Sequence, residues 1–187
     1  MSNAWIQSRD GHVVDLLMPQ LSALKIEEVA HSLARINRFS GHTKTFAGYN
    51  VAQHSVLVAR HLEPAFQFAG LMHDAHECTI GDVPSPVKWA LEELGGGAAF
   101  QELDNRMSRA VRRRFKVHMS DESKIAVREQ DLRALVTERR DLMGDFEARP
   151  WKFDVPPWED RIVPWDIPKS ERIFLEMYEQ LKGQPWR

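Results

Sequence analysis

Side chains that can bind a metal or move a proton are concentrated in one short stretch, His73-Asp74-Ala75-His76-Glu77. The apolar run from Phe66 to Met72 leads directly into it, so we expect the stretch to be buried. Buried imidazoles and carboxylates cost free energy unless they are paired or bound to a metal. The stretch is therefore a candidate functional site.

Further ligands for a metal must come from other parts of the chain. On a helix, neighbouring residues such as His73 and Asp74 point about 100° apart, so an ion that both of them bind must lie between two helix faces. His54 on an earlier helix and Asp131 on a later one complete a set of two nitrogens and two carboxylate oxygens. This set suits Co²⁺, Mn²⁺, Zn²⁺, Fe²⁺ or Ni²⁺, with Mg²⁺ as an alternative, and it lacks the thiolates of a structural zinc site.

The pattern of apolar residues indicates the elements that must position these side chains. Residues 5–17 predict a short hairpin or an extended arm, and residues 38–50 predict a loop. Helical spacing recurs over most of the rest, which predicts an all-α fold. The expected helices cover residues 26–37, 50–64, 65–77, 87–94, 98–115, 120–142 and 170–182. Between residues 144 and 169 five prolines predict irregular structure, which Trp151, Trp158 and Trp165 are expected to pack onto the body.

Length and composition limit the class of protein. With 187 residues, of which 43% are hydrophobic, the chain can bury a core as a single domain, 1–187. A net charge of −2 argues against nucleic acid or an anionic membrane as a partner. A single cysteine, Cys78, suits a reducing compartment. With neither a secretory signal nor an apolar run of ~20 residues, we expect a soluble cytoplasmic protein, in the host cytoplasm if a phage encodes it.

The ligand set resembles the signature of the HD superfamily of metal-dependent phosphohydrolases, in which the order is H, then HD, then D. The residues that carry this resemblance are His54, His73-Asp74 and Asp131. The resemblance extends over most of the chain and implies an HD-domain helical bundle.

Two longer motifs narrow the resemblance. Residues 73–88 are similar to the HD-x-x-E-x-x-x-GD-x-P-x-P-x-K segment of bacterial 5′-deoxynucleotidases, whereas residues 36–43 and 51–55 are similar to phage enzymes that hydrolyse dATP to deoxyadenosine and triphosphate. The resemblance implies that Glu77 orients or deprotonates the attacking water and that Arg38 and Lys88 hold phosphate oxygens. It also implies that Asp82 meets the deoxyribose 3′-hydroxyl and that Phe39 stacks near the base. His42 and His76 are further candidates for substrate binding.

The leading hypothesis is therefore a deoxynucleotide triphosphohydrolase, with dATP as the expected substrate. The alternative is a 5′-deoxynucleotidase that acts on a monophosphate, and a non-catalytic nucleotide-binding HD module ranks third. Each residue also has a simpler explanation, because single histidines and aromatics often only pack in the core. The tryptophans near the C-terminus suggest a surface that a second copy covers, so we expect a homo-oligomer.

Overall fold

The computed structural model describes residues 3–20, 24–144, 151 and 153–183, and most of them are helical. The predicted helical class is therefore confirmed. The helices are α1 (Ile26–Leu33), α2 (Val51–Arg60), α3 (Gln67–Met72), α4 (Glu77–Ile80), α5 (Ser85–Glu93), α6 (Gly97–Phe115), α7 (Asp121–Leu142) and α8 (Ile167–Leu181). None of the helices in these described ranges is both long and apolar enough to span a membrane.

The predicted N-terminal hairpin is present. Strands β1 (Trp5–Gln7) and β2 (Val13–Asp15) pair antiparallel, with Ile6 opposite Val14. The buried carboxylate of Glu28 on α1 holds the hairpin, because Oε1 accepts the backbone N–H of Asp10 at 3.1 Å. The hairpin is thus attached to α1 through a hydrogen bond to a carboxylate in the first turn of that helix.

Helix α2 lies at the centre of the molecule and is buried on nearly all sides. On one side Val56 and Ala59 join a core with α1, α3, α6 and α8, and on the other Val58 packs in a second cluster with α7. Helices that are apolar all round are typical of core positions. A histidine on this helix is therefore forced into the interior.

The single helix predicted for residues 65–77 is wrong. A short 3₁₀ turn precedes α3, which ends at Met72, and a turn separates it from α4. In that turn the N–H groups of Ala75 and Glu77 bond carbonyls only three residues back. In the same region His73 Nδ1 bonds the Gly70 carbonyl at 2.7 Å, which holds the ring across the end of α3. His73 and Asp74 lie in this turn.

Three helices begin earlier than predicted, and α1 and α2 each end four residues earlier. Helix α5 starts at Ser85 rather than at 87, α6 at Gly97 rather than at 98, and α8 at Ile167 rather than at 170. Pro86 and Pro168 do not prevent helix there, because both lie in a first turn, where no N–H is needed. The predicted helices 26–37 and 50–64 end at Leu33 and Arg60.

The proline-rich segment is irregular in its described parts, as predicted, while 145–150 and 152 lie outside the described residues. Trp158 is only 2% exposed and donates from Nε1 to Gln130 on α7 at 3.0 Å. Gln53 on α2 bonds both the Val163 carbonyl and the Trp165 N–H. The segment therefore holds α2 and α7 together.

Candidate metal centre

Three elements bring the four predicted ligands together. His54 comes from α2, His73 and Asp74 come from the turn after α3, and Asp131 comes from α7. The Nε2 atom of His54 lies 3.5 Å from Asp74 Oδ2 and 3.1 Å from Asp131 Oδ1. The Nε2 atom of His73 lies 3.0 Å and 3.9 Å from the same two oxygens. Both imidazole Nε2 atoms thus lie within 3.9 Å of Asp74 Oδ2 and of Asp131 Oδ1.

The other nitrogen of each imidazole is already bonded. His54 Nδ1 lies 2.7 Å from Glu138 Oε1, and His73 Nδ1 lies 2.7 Å from the Gly70 carbonyl. Both partners are acceptors, so each Nδ1 carries the hydrogen and a neutral ring keeps a free lone pair on Nε2. Both Nε2 atoms are buried without a hydrogen-bond partner. This is the arrangement of metal-binding histidines, in which a second partner fixes the tautomer.

These residues fit a metal ion. His54, His73 and Asp74 offer ligand atoms that all lie within 4.8 Å of one another, and together they could hold an ion. The Oδ1 atom of Asp131 is close enough to both imidazoles to add a fourth ligand. The opening of the centre is on the side of Asp131, whose side chain is 40% exposed whereas that of His54 is fully buried.

Without a cation, the imidazoles of this centre are held in their charged form. Burial disfavours a charge on His73, but Asp74 and Asp131 outweigh it and raise the pKa of His73 to about 10. Burial likewise opposes ionisation of Asp74, yet the charge of His73 holds the pKa of that carboxyl well below its usual range. A cation that enters the centre must therefore displace protons.

Glu138 supports the centre, and sequence reasoning missed it. Its carboxylate is fully buried, with Oε1 on His54 and Oε2 accepting from Arg38 Nε at 3.1 Å. Burial opposes the charge on Glu138, but Arg38 and His54 lower its pKa. The signal was present in the sequence, because Glu138 follows Asp131 by seven residues and so shares its face of α7.

Glu77 and Asp82 bring two further carboxyl groups to the centre. Glu77 begins α4, is 7% exposed, and its Oε2 is buried without a hydrogen-bond partner. Burial, followed by the charges of Asp74 and Asp82, raises the pKa of Glu77 well above its usual range. Asp82 Oδ2 lies 3.9 Å from Arg38 Nη1, and burial raises its pKa as well.

A left-handed turn places Arg38 and Phe39. Phe39 and Ser40 have φ angles of 55° and 52°, and Gly41 has a φ of 80°. A left-handed backbone costs a non-glycine residue roughly 1–2 kcal/mol. The bonds from Arg38 N–H to the Tyr49 carbonyl at 2.8 Å and from Val51 N–H to the Ile36 carbonyl at 3.0 Å hold the turn. As a result Arg38 is buried against Glu138, whereas Phe39 lies beside Trp151.

The described contacts do not bring the remaining predicted substrate residues, His42, His76 and Lys88, to the ligands of this centre. His76 is buried and its Nε2 lies 3.2 Å from Asp104 Oδ1, a partner on α6 that the sequence did not indicate. Lys88 is on the exposed helix α5, with Nζ 5.8 Å from the centre of the Phe100 ring. His42 is exposed, and its backbone N–H bonds the Phe39 carbonyl.

No family model matches this sequence. The chain is 38% identical over 122 residues to the uncharacterized protein RCAP_rcc00048 of Rhodobacter capsulatus, a match that covers 62% of this chain and 60% of that protein. It is 37% identical over 119 residues to the uncharacterized protein YfdR of Escherichia coli, covering 63% of this chain and 60% of that protein. The chain thus spans about three fifths of the length of the curated relatives it matches.

Trp151 is a second residue near the site whose placement was not anticipated. It was expected only to pack the proline-rich segment, but it remains 36% exposed beside Phe39, with the ring centroids 6.1 Å apart. Arg139, which follows Glu138 on α7, lies over its ring at 5.6 Å. A sequence offers no spacing rule for contacts between segments this far apart in the chain.

Proposed function

We propose that this chain is a metal-dependent phosphohydrolase of deoxynucleotides. The observation that carries the proposal is the pair of buried Nε2 atoms without partners, directed at two carboxylates on a centre that is open on one side. A purely structural histidine would use both nitrogens, since an unsatisfied buried polar atom is costly. The resemblance to the HD superfamily supplies the reaction class.

A divalent ion bound there would polarise the scissile phosphate and lower the pKa of a water molecule toward ~7. The chain's own residues supply positioning and charge, which phosphoryl transfer mainly needs. Arg38 is fixed to Glu138 through Nε, so its Nη groups remain to neutralise phosphate oxygens. Burial opposes the charge of Arg38, but Glu138 and Asp82 outweigh it and raise its pKa well above its usual range, so the guanidinium stays charged.

Glu77 is the residue we assign to proton transfer. Its Oε2 has no other partner, and its pKa is raised by burial and by neighbouring carboxylates. A carboxylate with a raised pKa accepts a proton more readily than an ordinary one. Glu77 can therefore take the proton of the attacking water.

The charge of the centre bears on which phosphate ester is cleaved. Five carboxyl groups surround it, and besides the two imidazoles Arg38 is the one cationic side chain that the described contacts bring among them. The five are Asp74, Glu77, Asp82, Asp131 and Glu138. A triphosphate carries more negative charge than a monophosphate and would need additional cations here. This observation favours the 5′-deoxynucleotidase over the triphosphohydrolase that leads on sequence alone.

Asp82 is the residue proposed to select the sugar. By resemblance it accepts a hydrogen bond from the 3′-hydroxyl, and a close fit there would exclude a 2′-hydroxyl. We expect a preference for deoxyribonucleotides of about 10² if a buried polar group is left unpaired by the wrong sugar. Equal turnover of AMP and dAMP, or of ATP and dATP, would contradict it. Adenine remains the predicted base, and faster turnover of thymidine nucleotides would contradict that choice.

The test is product analysis with the metal-depleted protein after addition of Mn²⁺ or Co²⁺. We expect orthophosphate from dAMP, or triphosphate from dATP, and the product identifies the branch. The matched control is Glu77→Gln, which keeps the size of the side chain and should bind metal normally while turnover is lost. If wild type releases neither product from any deoxynucleotide, the proposal is wrong.

A further inference from the structure

An aromatic cluster lies on the surface beside the left-handed turn. Phe39 and Trp151 have ring centroids 6.1 Å apart at an interplanar angle of 40°, and Trp151 and Phe153 meet edge to face at 6.2 Å. Trp151 is 36% exposed and Phe153 is 39% exposed. The three rings therefore form a contiguous, partly exposed aromatic surface, and surfaces of this kind often mark ligand-binding sites.

Two pairs of adjacent residues connect this cluster to the metal centre. The pairs are Arg38-Phe39 and Glu138-Arg139. The first residue of each pair is buried, and these two residues bond each other. The second residue of each pair contacts Trp151. The Arg38 guanidinium carbon is also 5.6 Å from the centre of the Phe39 ring. A molecule whose phosphate meets Arg38 would thus have the aromatic cluster next to it.

The chemistry of the cluster fits a flat heteroaromatic ring. Aromatic faces stack on nucleobases whatever the base, because every base has a π face. A guanidinium also offers several N–H donors for the acceptor atoms on the edge of a base. Arg139 lies over Trp151 at 5.6 Å and can serve in this way.

We propose that Trp151 and Arg139 complete the nucleobase site of this protein, together with Phe39. The proposal rests on the proposed function, since it places the phosphate of the same ligand at the metal centre. It goes beyond the expectation for Phe39, because it assigns binding to a residue of the proline-rich segment and to one on α7. Trp151 stacks on the base and Arg139 bonds its edge.

Binding of a nucleoside tests this site without turnover. Deoxyadenosine, which lacks a phosphate, is titrated calorimetrically into the metal-depleted protein. We expect Trp151→Ala to weaken binding about tenfold or more, the magnitude typical of losing one stacked base, and Trp151→Phe to retain much of it. The matched control is Trp5→Ala, because Trp5 is 48% exposed on the hairpin and should not affect binding.

Arg139→Gln keeps the assay informative if Trp151→Ala fails to fold, as judged by circular dichroism. We expect it to weaken deoxyadenosine binding while Trp151 remains in place. If wild type binds no deoxyadenosine, or if a folded Trp151→Ala binds it as wild type does, the proposed base site is wrong. Where Trp151→Ala does not fold, wild-type binding by Arg139→Gln would overturn the site.

A second substrate separates this proposal from the phosphohydrolase itself. We expect Trp151→Ala to raise the KM for dAMP about tenfold with little change in kcat, and to leave hydrolysis of deoxyribose 5-phosphate, which has no base, unchanged. Equal losses on both substrates would overturn the base site and leave the phosphohydrolase standing. If the protein shows no turnover but binds deoxyadenosine in a way that depends on Trp151, the phosphohydrolase proposal is wrong and the base site stands.

Discussion

The metal centre and helix α5 are close in the chain but are supported in different ways. Each imidazole of the centre is fixed by a hydrogen bond at Nδ1. His54 bonds the Glu138 carboxylate, and His73 bonds the Gly70 carbonyl. Helix α5 buries none of its residues and packs mainly against α6, with Trp89 67% exposed. The imidazoles that would bind a metal are therefore each held by a second hydrogen bond. Lys88, in contrast, lies on a helix with few packing contacts.

The largest effect is expected from removing a ligand. His73→Ala and Asp131→Ala should abolish stoichiometric binding of Mn²⁺ or Co²⁺ and turnover with it, while circular dichroism shows a largely intact fold. Glu129→Ala is the control, because Glu129 is exposed on the same helix as Asp131 and should retain metal. Full metal occupancy in both ligand variants would remove the proposed centre.

Replacing Glu138 should weaken metal binding and lower the free energy of unfolding. Glu138→Ala leaves Arg38 buried without its partner, which typically costs about 3–5 kcal/mol in the free energy of unfolding. Glu138→Gln should cost less stability but weaken metal binding roughly 10–100-fold, because His54 loses its charged partner. Denaturant unfolding and metal titration measure the two effects. Wild-type metal affinity in the Gln variant would mean that Glu138 only packs.

Gly→Ala substitutions at Gly70, next to the candidate metal centre, and at Gly96, beside α5, compare the packing of these two regions. A Cβ at Gly70 would lie 3.2 Å from the Ala59 Cα atom, so Gly70→Ala should force α3 away from α2 and cost about 1–3 kcal/mol. At Gly96, beside α5, the nearest atom to a new Cβ is 3.6 Å away, and Gly96→Ala should change stability by less than about 0.5 kcal/mol. Thermal unfolding distinguishes them, and equal shifts would contradict the difference in support.

The centre should also respond to pH. In the metal-free protein the raised pKa of His73 contributes stability that is complete below its usual pKa of 6.5 and is lost as the pH rises through about 10. Metal binding displaces this proton, so the apparent affinity should increase with pH, by up to about tenfold per unit for one proton. Calorimetry in buffers of different ionisation enthalpy should show proton release at neutral pH, and its absence would contradict protonated imidazoles.

The smallest effects are expected on α5. Trp89→Ala should change the free energy of unfolding by less than about 0.5 kcal/mol, because its side chain is mostly exposed. Lys88→Ala should be equally mild in stability but should raise the KM of a phosphate substrate if Lys88 holds phosphate oxygens. A loss of stability above about 1 kcal/mol in either variant would show that α5 is better anchored than its burial indicates.

The sequence predicted the features that depend on periodic apolar residues or on short motifs. Helical spacing located most of the helices, and the order of His54, His73-Asp74 and Asp131 predicted that these residues meet. Both imidazoles do lie near the two carboxylates, whereas metal binding by the four residues stays a prediction. Three features were not predicted, because each depends on particular contacts. The turn after Met72 is made by backbone bonds between residues three apart, the left-handed Phe39 is held by two backbone bonds, and Trp151 meets Phe39 across more than 100 residues. Local propensity has no access to such contacts.

The loop between α1 and α2 is closed at its base, where Asn37 and Asn50 form an antiparallel bridge. The tip of that loop carries Phe46, which is fully exposed. Because the backbone bonds of the base fix the start of α2, residues inserted or exchanged at the tip would leave His54 in place. Changes in the length and composition of this loop, in evolution or in a laboratory library, would thus leave the candidate metal centre unchanged.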